Sequence, residues 1–164
     1  MSSINYFHIQ YKREEPRTDI LFGINDNGVL AYTTSSDESG IMEVTNKSSH
    51  SIQFTPVDHN IIVIENGNER SQCDGMLHIE VTKELIFIEM KDCSKDWISE
   101  AVNQLKSTIA HFSSNHVITD FNKRSAYAGN KQHPFFQHSK KELAETFRNQ
   151  TKFRLNITNK VTIK

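Results

Sequence analysis

Apolar and polar positions change period twice along this chain, and each change marks a different kind of element. Up to about residue 65 the apolar positions come in short bursts separated by polar clusters. Residues 20–24 and 29–33 flank Asn25-Asp26-Asn27-Gly28, a turn-forming run that predicts a hairpin. Residues 41–45 and 51–55 flank a second polar stretch, 46–50, in the same way. Ile61-Ile62-Val63-Ile64 reads as a buried strand stopped by Asn66-Gly67-Asn68.

Two more strands are predicted over 76–81 and 85–90, joined through Thr82-Lys83-Glu84. Leu85-Ile86-Phe87-Ile88 is apolar on both faces until Glu89, the pattern of a central strand covered on both sides. The period then lengthens. Trp97, Ile98, Ala101, Val102, Leu105, Ile109 and Phe112 recur at spacings of three and four, which predicts an amphipathic helix capped by Ser94 or Lys95-Asp96. Beyond it come strands over 117–120 and 125–128, a helix over 140–149 capped by Ser139, and a terminal hairpin from 153–157 and 161–163. The order predicts an α/β (α+β) fold, a central mixed β-sheet flanked by helices, with a β-rich N-terminal portion over about 1–57.

Length and composition fit one domain: 164 residues, 24% charged and 36% hydrophobic. No apolar run reaches the roughly 18 residues of a membrane span, and the first residues lack the basic-then-apolar order of a secretory signal. The expectation is a soluble cytoplasmic protein with no membrane partner. Cys73 and Cys93 are the only cysteines, too few for a disulfide scaffold or a cysteine-built zinc site. His111 with His116, and His133 with His138, stand five apart with no acid or cysteine cluster to complete a zinc set. No glycine-rich phosphate loop is present.

Charge changes the picture more than composition does. Residues 1–120 hold 9 Lys and Arg against 18 Asp and Glu, whereas residues 121–164 hold 10 against 2. A basic portion in a nearly neutral chain points to a polyanion-binding face. Lys123, Arg124, Lys131, Lys140 and Lys141 are its first candidates for nucleic-acid contact, with Arg148, Lys152 and Arg154 further on.

The candidate chemistry lies in Cys73-Asp74-Gly75 and, fifteen residues after Asp74, Glu89-Met90-Lys91. Side chains alternate along a strand, so Glu89 and Lys91 share a face and Met90 takes the other. A two-residue turn at Thr82-Lys83 pairs residue 81 with 84 and sets Asp74 opposite Lys91, on the face of Glu89. His78 and Glu80 share that face, His78 reading as a half-buried strand residue. Two hard carboxylates suit Mg²⁺, which keeps several waters and binds substrate phosphate. A metal lowers the pKa of bound water, and an adjacent lysine positions or helps deprotonate that water and stabilises charge on phosphorus.

Asp74 followed by Glu89-x-Lys91 on a hairpin, with a helix after it, resembles the PD-(D/E)XK nuclease superfamily over about residues 58–130. The resemblance implies a restriction-endonuclease-like fold and Mg²⁺ or Mn²⁺ as cofactor. It implies metal ligation by Asp74, Glu89 and the main-chain carbonyl of Met90, and catalysis by Asp74, Glu89, Lys91 and Gln104. Gln104 lies at the edge of the helix's apolar stripe, where many members carry a glutamine. The chain departs from the pattern in having Cys73 where some members have proline. It also lacks the first helix, whose acid often adds a metal contact; Glu65 and Glu69 are both available to replace it.

The implied activity is hydrolysis of DNA phosphodiester bonds, in defence or repair, with a protein partner or a second copy aiding the choice of target. The rival reading from another class is an inactive nuclease-fold module that binds nucleic acid or protein as an accessory or immunity subunit. A β-rich carbohydrate- or peptide-binding protein is the third.

Overall fold

The apolar run ending at Glu89 forms the central strand of the molecule because both its faces find cover. The computed structural model describes residues 3–36, 40–132 and 140–164. In chain order its strands are β1 (Leu21–Asp26), β2 (Ala31–Ser35), β3 (Met42–Asn46), β4 (Gln53–Pro56), β5 (Ile64–Glu65), β6 (Asn68–Glu69), β7 (Gly75–Ile79), β8 (Glu84–Lys91), β9 (Lys123–Asn130), β10 (Arg154–Ile157) and β11 (Lys160–Ile163). The helices are α1 (Trp97–Asn115) and α2 (Lys141–Thr151). Among the described residues this is an α+β fold dominated by strands.

One sheet has the order β10-β9-β8-β7-β4, with β7 antiparallel to β8 and to β4, and β9 parallel to β8 and to β10. The other has the order β11-β3-β1-β2, and only its β11–β3 pair is parallel. A helix joins each parallel pair of the larger sheet, as a parallel connection requires.

The two faces of β8 separate two apolar clusters. Leu85 and Phe87 point to the helices and pack with Ala101, Leu105, Ile109 and Phe112 of α1, together with Phe147 and Phe153. Ile86, Ile88 and Met90 point the other way, onto Phe22, Ile24, Met42, Val44, Val161 and Ile163 of the smaller sheet. The second sheet therefore covers the face that a second helical layer would cover in a doubly wound fold. The N-terminal segment plugs the end of α1: buried Tyr6 donates its hydroxyl to Gln72 Oε1 at 2.9 Å and meets His111 Nδ1 at 2.6 Å. Phe7 lies against His78 and His116.

Several local expectations fail where long-range pairing decides. β3 and β4 do not form a hairpin but enter different sheets, as do β10 and β11. Only Ile64 of the 61–64 run is in a strand; Ile61 and Val63 are buried, while Ile62 and Ile64 face out. The expected strand at 117–120 is a short 3₁₀ helix, Ile118–Asp120. Ser139, the expected cap of α2, lies outside the described residues, as do His133 and His138.

The β7–β8 hairpin exists, with a different register. Ile79 pairs with Glu84, so the turn spans Glu80-Val81-Thr82-Lys83 instead of two residues. Lys83 closes it in the left-handed region at φ 52°. The slip is two residues, which preserves the faces. It moves Asp74 from beside Lys91 to beside Glu89.

Candidate metal centre

Asp74 sits just before β7, where the antiparallel ladder stops. Its Oδ2 accepts a hydrogen bond from the Met90 main-chain N–H at 2.6 Å. Its own main-chain carbonyl accepts from Val57 at 2.9 Å. The N–H and C=O of a strand residue project to the same edge. The Met90 carbonyl therefore projects towards Asp74, beyond the last β7–β8 pair, Gly75–Ile88.

Glu89 points to the helix side and is 2% exposed. Its Oε2 lies 3.0 Å from Lys91 Nζ, while its Oε1 is buried with no hydrogen-bond partner. Lys91 Nζ also meets Glu100 Oε1 at 3.0 Å and donates to Gln104 Oε1. Three acceptors thus converge on the three donors of one ammonium. Gln104, one helical turn from Glu100 on α1, faces the site.

Burial, and then the neighbouring Asp74 carboxylate, push the Glu89 pKa well up, with Lys91 opposing. Burial also raises Asp74 to about 6, against the Met90 N–H and the hydrogen bond that the Asp74 and Glu89 carboxyls share only when one of them is protonated. Burial alone would depress Lys91, yet Glu89 and Glu100 outweigh it and hold its pKa up. Lys91 is therefore held as a cation among these acceptors.

A buried carboxylate oxygen without a partner is costly, and a cation is its natural complement. The donor set fits a small hard ion: Glu89 Oε1, the Asp74 carboxylate and the Met90 carbonyl are all oxygens at one end of the sheet. Two further acids act on this end from outside the motif, since both Asp26 and Asp58 raise the Asp74 pKa. Asp58 also belongs to a half-exposed group with His59 and Glu69, whose ligand atoms lie within 4.8 Å of one another.

Sequence reasoning passed over Glu100 and Asp58. Glu100 was findable, because it stands four residues before Gln104 and therefore on the same helix face. Asp58 carries no local signal; it arrives through pairing of its N–H with the Cys73 carbonyl at 3.0 Å. Of the two acids available to replace the missing first-helix residue, Glu65 is committed to Arg70 at 2.6 Å and Glu69 belongs to the Asp58 group.

The basic candidates divide. Lys131 follows β9 beside the site, its N–H donating to the Lys91 carbonyl at 2.7 Å. Lys140 lines a cavity with Lys95 and Trp97 at the start of α1, and Lys141 opens α2. Lys123 and Arg124 lie at the far end of β8, Lys123 opposite Glu84. At about 3.3 Å per residue, that end is roughly 20 Å from Lys91. The expectation of one basic surface around the acids is corrected accordingly.

His78, His111 and His116 serve structure: burial lowers the pKa of each, and His116 Nε2 accepts from the Tyr6 N–H at 3.1 Å. Both cysteines are free thiols. No helix among the described residues is long and apolar enough to cross a membrane. No family model matches the chain, and neither does any curated protein or solved structure among those searched.

Proposed function

We propose that this chain is a metal-dependent nuclease of the PD-(D/E)XK type, with a restriction-endonuclease-like core built from β7, β8, α1 and β9. The observation that carries the reading is the unpartnered, buried Oε1 of Glu89 beside Asp74, with Lys91 locked against Glu89. An ordinary surface Glu–Lys pair would leave no carboxylate oxygen stranded in the interior. The hairpin followed by a crossover helix and a parallel strand supports the fold assignment.

A Mg²⁺ or Mn²⁺ ion held by Asp74, Glu89 and the Met90 carbonyl would supply an activated water and neutralise charge on the scissile phosphate. The chain's own residues do the rest. Asp74 is oriented by the Met90 N–H, so its free oxygen faces the gap before β7. Glu100 and Gln104 fix the Lys91 ammonium, which stabilises the negative charge that develops on phosphorus. Lys131 and Lys140 lie at this end of the sheet to receive flanking phosphates. DNA is the proposed substrate, and a protein partner or second copy the proposed source of target choice, because no groove-reading module is recognisable in the sequence.

The test is incubation with supercoiled, linear double-stranded and single-stranded DNA in Mg²⁺ or Mn²⁺, with EDTA as control. The reading predicts metal-dependent cutting that disappears in Glu89→Gln. Salt-sensitive binding without cutting would favour the accessory-module reading instead.

A further inference from the structure

At the end of β8 remote from Asp74 and Glu89 the fold leaves a cavity of ≈ 440 Å³. Lys123, Arg124, Arg148, Lys152, Arg154 and Lys164 line it, drawn from β9, from α2 and its end, from β10 and from the C-terminus. None of these six forms an ion pair with a carboxylate within 4.0 Å among the described residues. Cations clustered around one concavity repel each other, with Glu84 opposing them beside Lys123, and an anionic ligand removes the remaining cost.

The cavity also holds a group of opposite kind. Glu84 lines it, is only 7% exposed, and has an Oε1 buried without a hydrogen-bond partner. A site for simple phosphate has no use for a carboxylate, which repels anions. A carboxylate oxygen with free acceptor capacity suits a ligand that brings hydroxyl or amino donors along with its phosphates. Tyr127, half-buried in the same wall, offers ring surface for a sugar or base.

We propose that this cavity binds a nucleotide, its phosphates against Arg154, Lys164 and Lys123 and its ribose hydroxyls or base amino group on Glu84. The same chemistry is presented by a free nucleotide and by the phosphorylated end of a nucleic-acid strand. The site lies roughly 20 Å along β8 from the metal centre and on the other face of the sheet, as alternation from Glu84 to Glu89 requires. It is therefore independent of the hydrolytic reading.

The test is calorimetric titration of the full chain with ADP, GDP, CDP and UDP, with pyrophosphate, and with a 5′-phosphorylated DNA dinucleotide. At least one nucleotide binds saturably and about tenfold or more tighter than pyrophosphate. Arg154→Glu abolishes all binding, whereas Glu84→Gln weakens the nucleotide about fivefold or more and leaves pyrophosphate unchanged. A tighter dinucleotide identifies a strand end as the ligand, and a tighter diphosphate identifies a free nucleotide. No saturation by any probe overturns the proposal. So does pyrophosphate binding equal to the nucleotides and indifferent to Glu84→Gln, which would reduce the cavity to an unselective anion patch.

Discussion

Under the proposed nuclease function, replacing Lys91 with methionine lowers metal-dependent DNA cleavage about a thousandfold, with the loss in kcat and little change in KM. The reason is geometric. Glu89, Glu100 and Gln104 hold the ammonium where charge develops in the transition state, and a preorganised donor of this kind contributes about 10²–10³ in rate. Methionine keeps the length and apolar stem of lysine but removes the charge. Lys91→Arg rescues little, because a planar guanidinium cannot meet three acceptors arranged around a single nitrogen. Steady-state kinetics beside a thermal melt separate this effect from unfolding. A Lys91→Met enzyme within about threefold of wild type would remove Lys91 from the mechanism.

The second large effect is on stability, and its sign follows from the two carboxyls. Asp74 is raised to about 6 and Glu89 well above the usual carboxylate range, so both hold protons more tightly folded than unfolded. The stability that Asp74 contributes is complete below about pH 4 and is lost as pH rises through about 6, and the contribution of Glu89 is lost in the same direction. The elevation of Asp74 alone corresponds to about 3 kcal/mol. In EDTA, Glu89→Gln is therefore more stable than wild type near pH 8, and the gap narrows towards pH 5. His78, His111 and His116, with lowered pKa values, contribute the opposite slope in both proteins, so comparing the two cancels them. Added Mg²⁺ stabilises wild type near pH 8 and leaves Glu89→Gln unchanged, because ion and proton compete for the same oxygens. Denaturant melts at the two pH values measure both effects. A variant less stable than wild type near pH 8 would mean that the pair is not strained.

Much of this centre was legible in the sequence because its geometry depends on local periods. Strand alternation puts Glu89 and Lys91 on one face whatever the fold around them. Helical spacing puts Gln104 where α1 meets β8. The register was not legible: a two-residue and a four-residue turn preserve the same faces, and only the ladder of Gly75 on Ile88 separates them. That choice decides whether Asp74 neighbours the lysine or the glutamate, and so whether the acids are neutralised or strained.

Long-range pairing hid the rest. The parallel union of β3 with β11 joins segments more than a hundred residues apart, and the apolar pattern of each fits either sheet. The division of the basic residues followed from strand direction. Lys123 and Lys131 are eight positions apart on β9 and just beyond it, which carries them to opposite ends of the sheet.

The most direct measurement is a titration of Mn²⁺ into the metal-free chain near pH 8, followed by calorimetry, for wild type, Glu89→Gln and Asp58→Asn. The account predicts an ion bound by wild type with release of protons, lost in Glu89→Gln and retained in Asp58→Asn. Absence of binding would contradict it. So would an ion indifferent to Glu89→Gln but lost in Asp58→Asn, which would sit among Asp58, His59 and Glu69 instead.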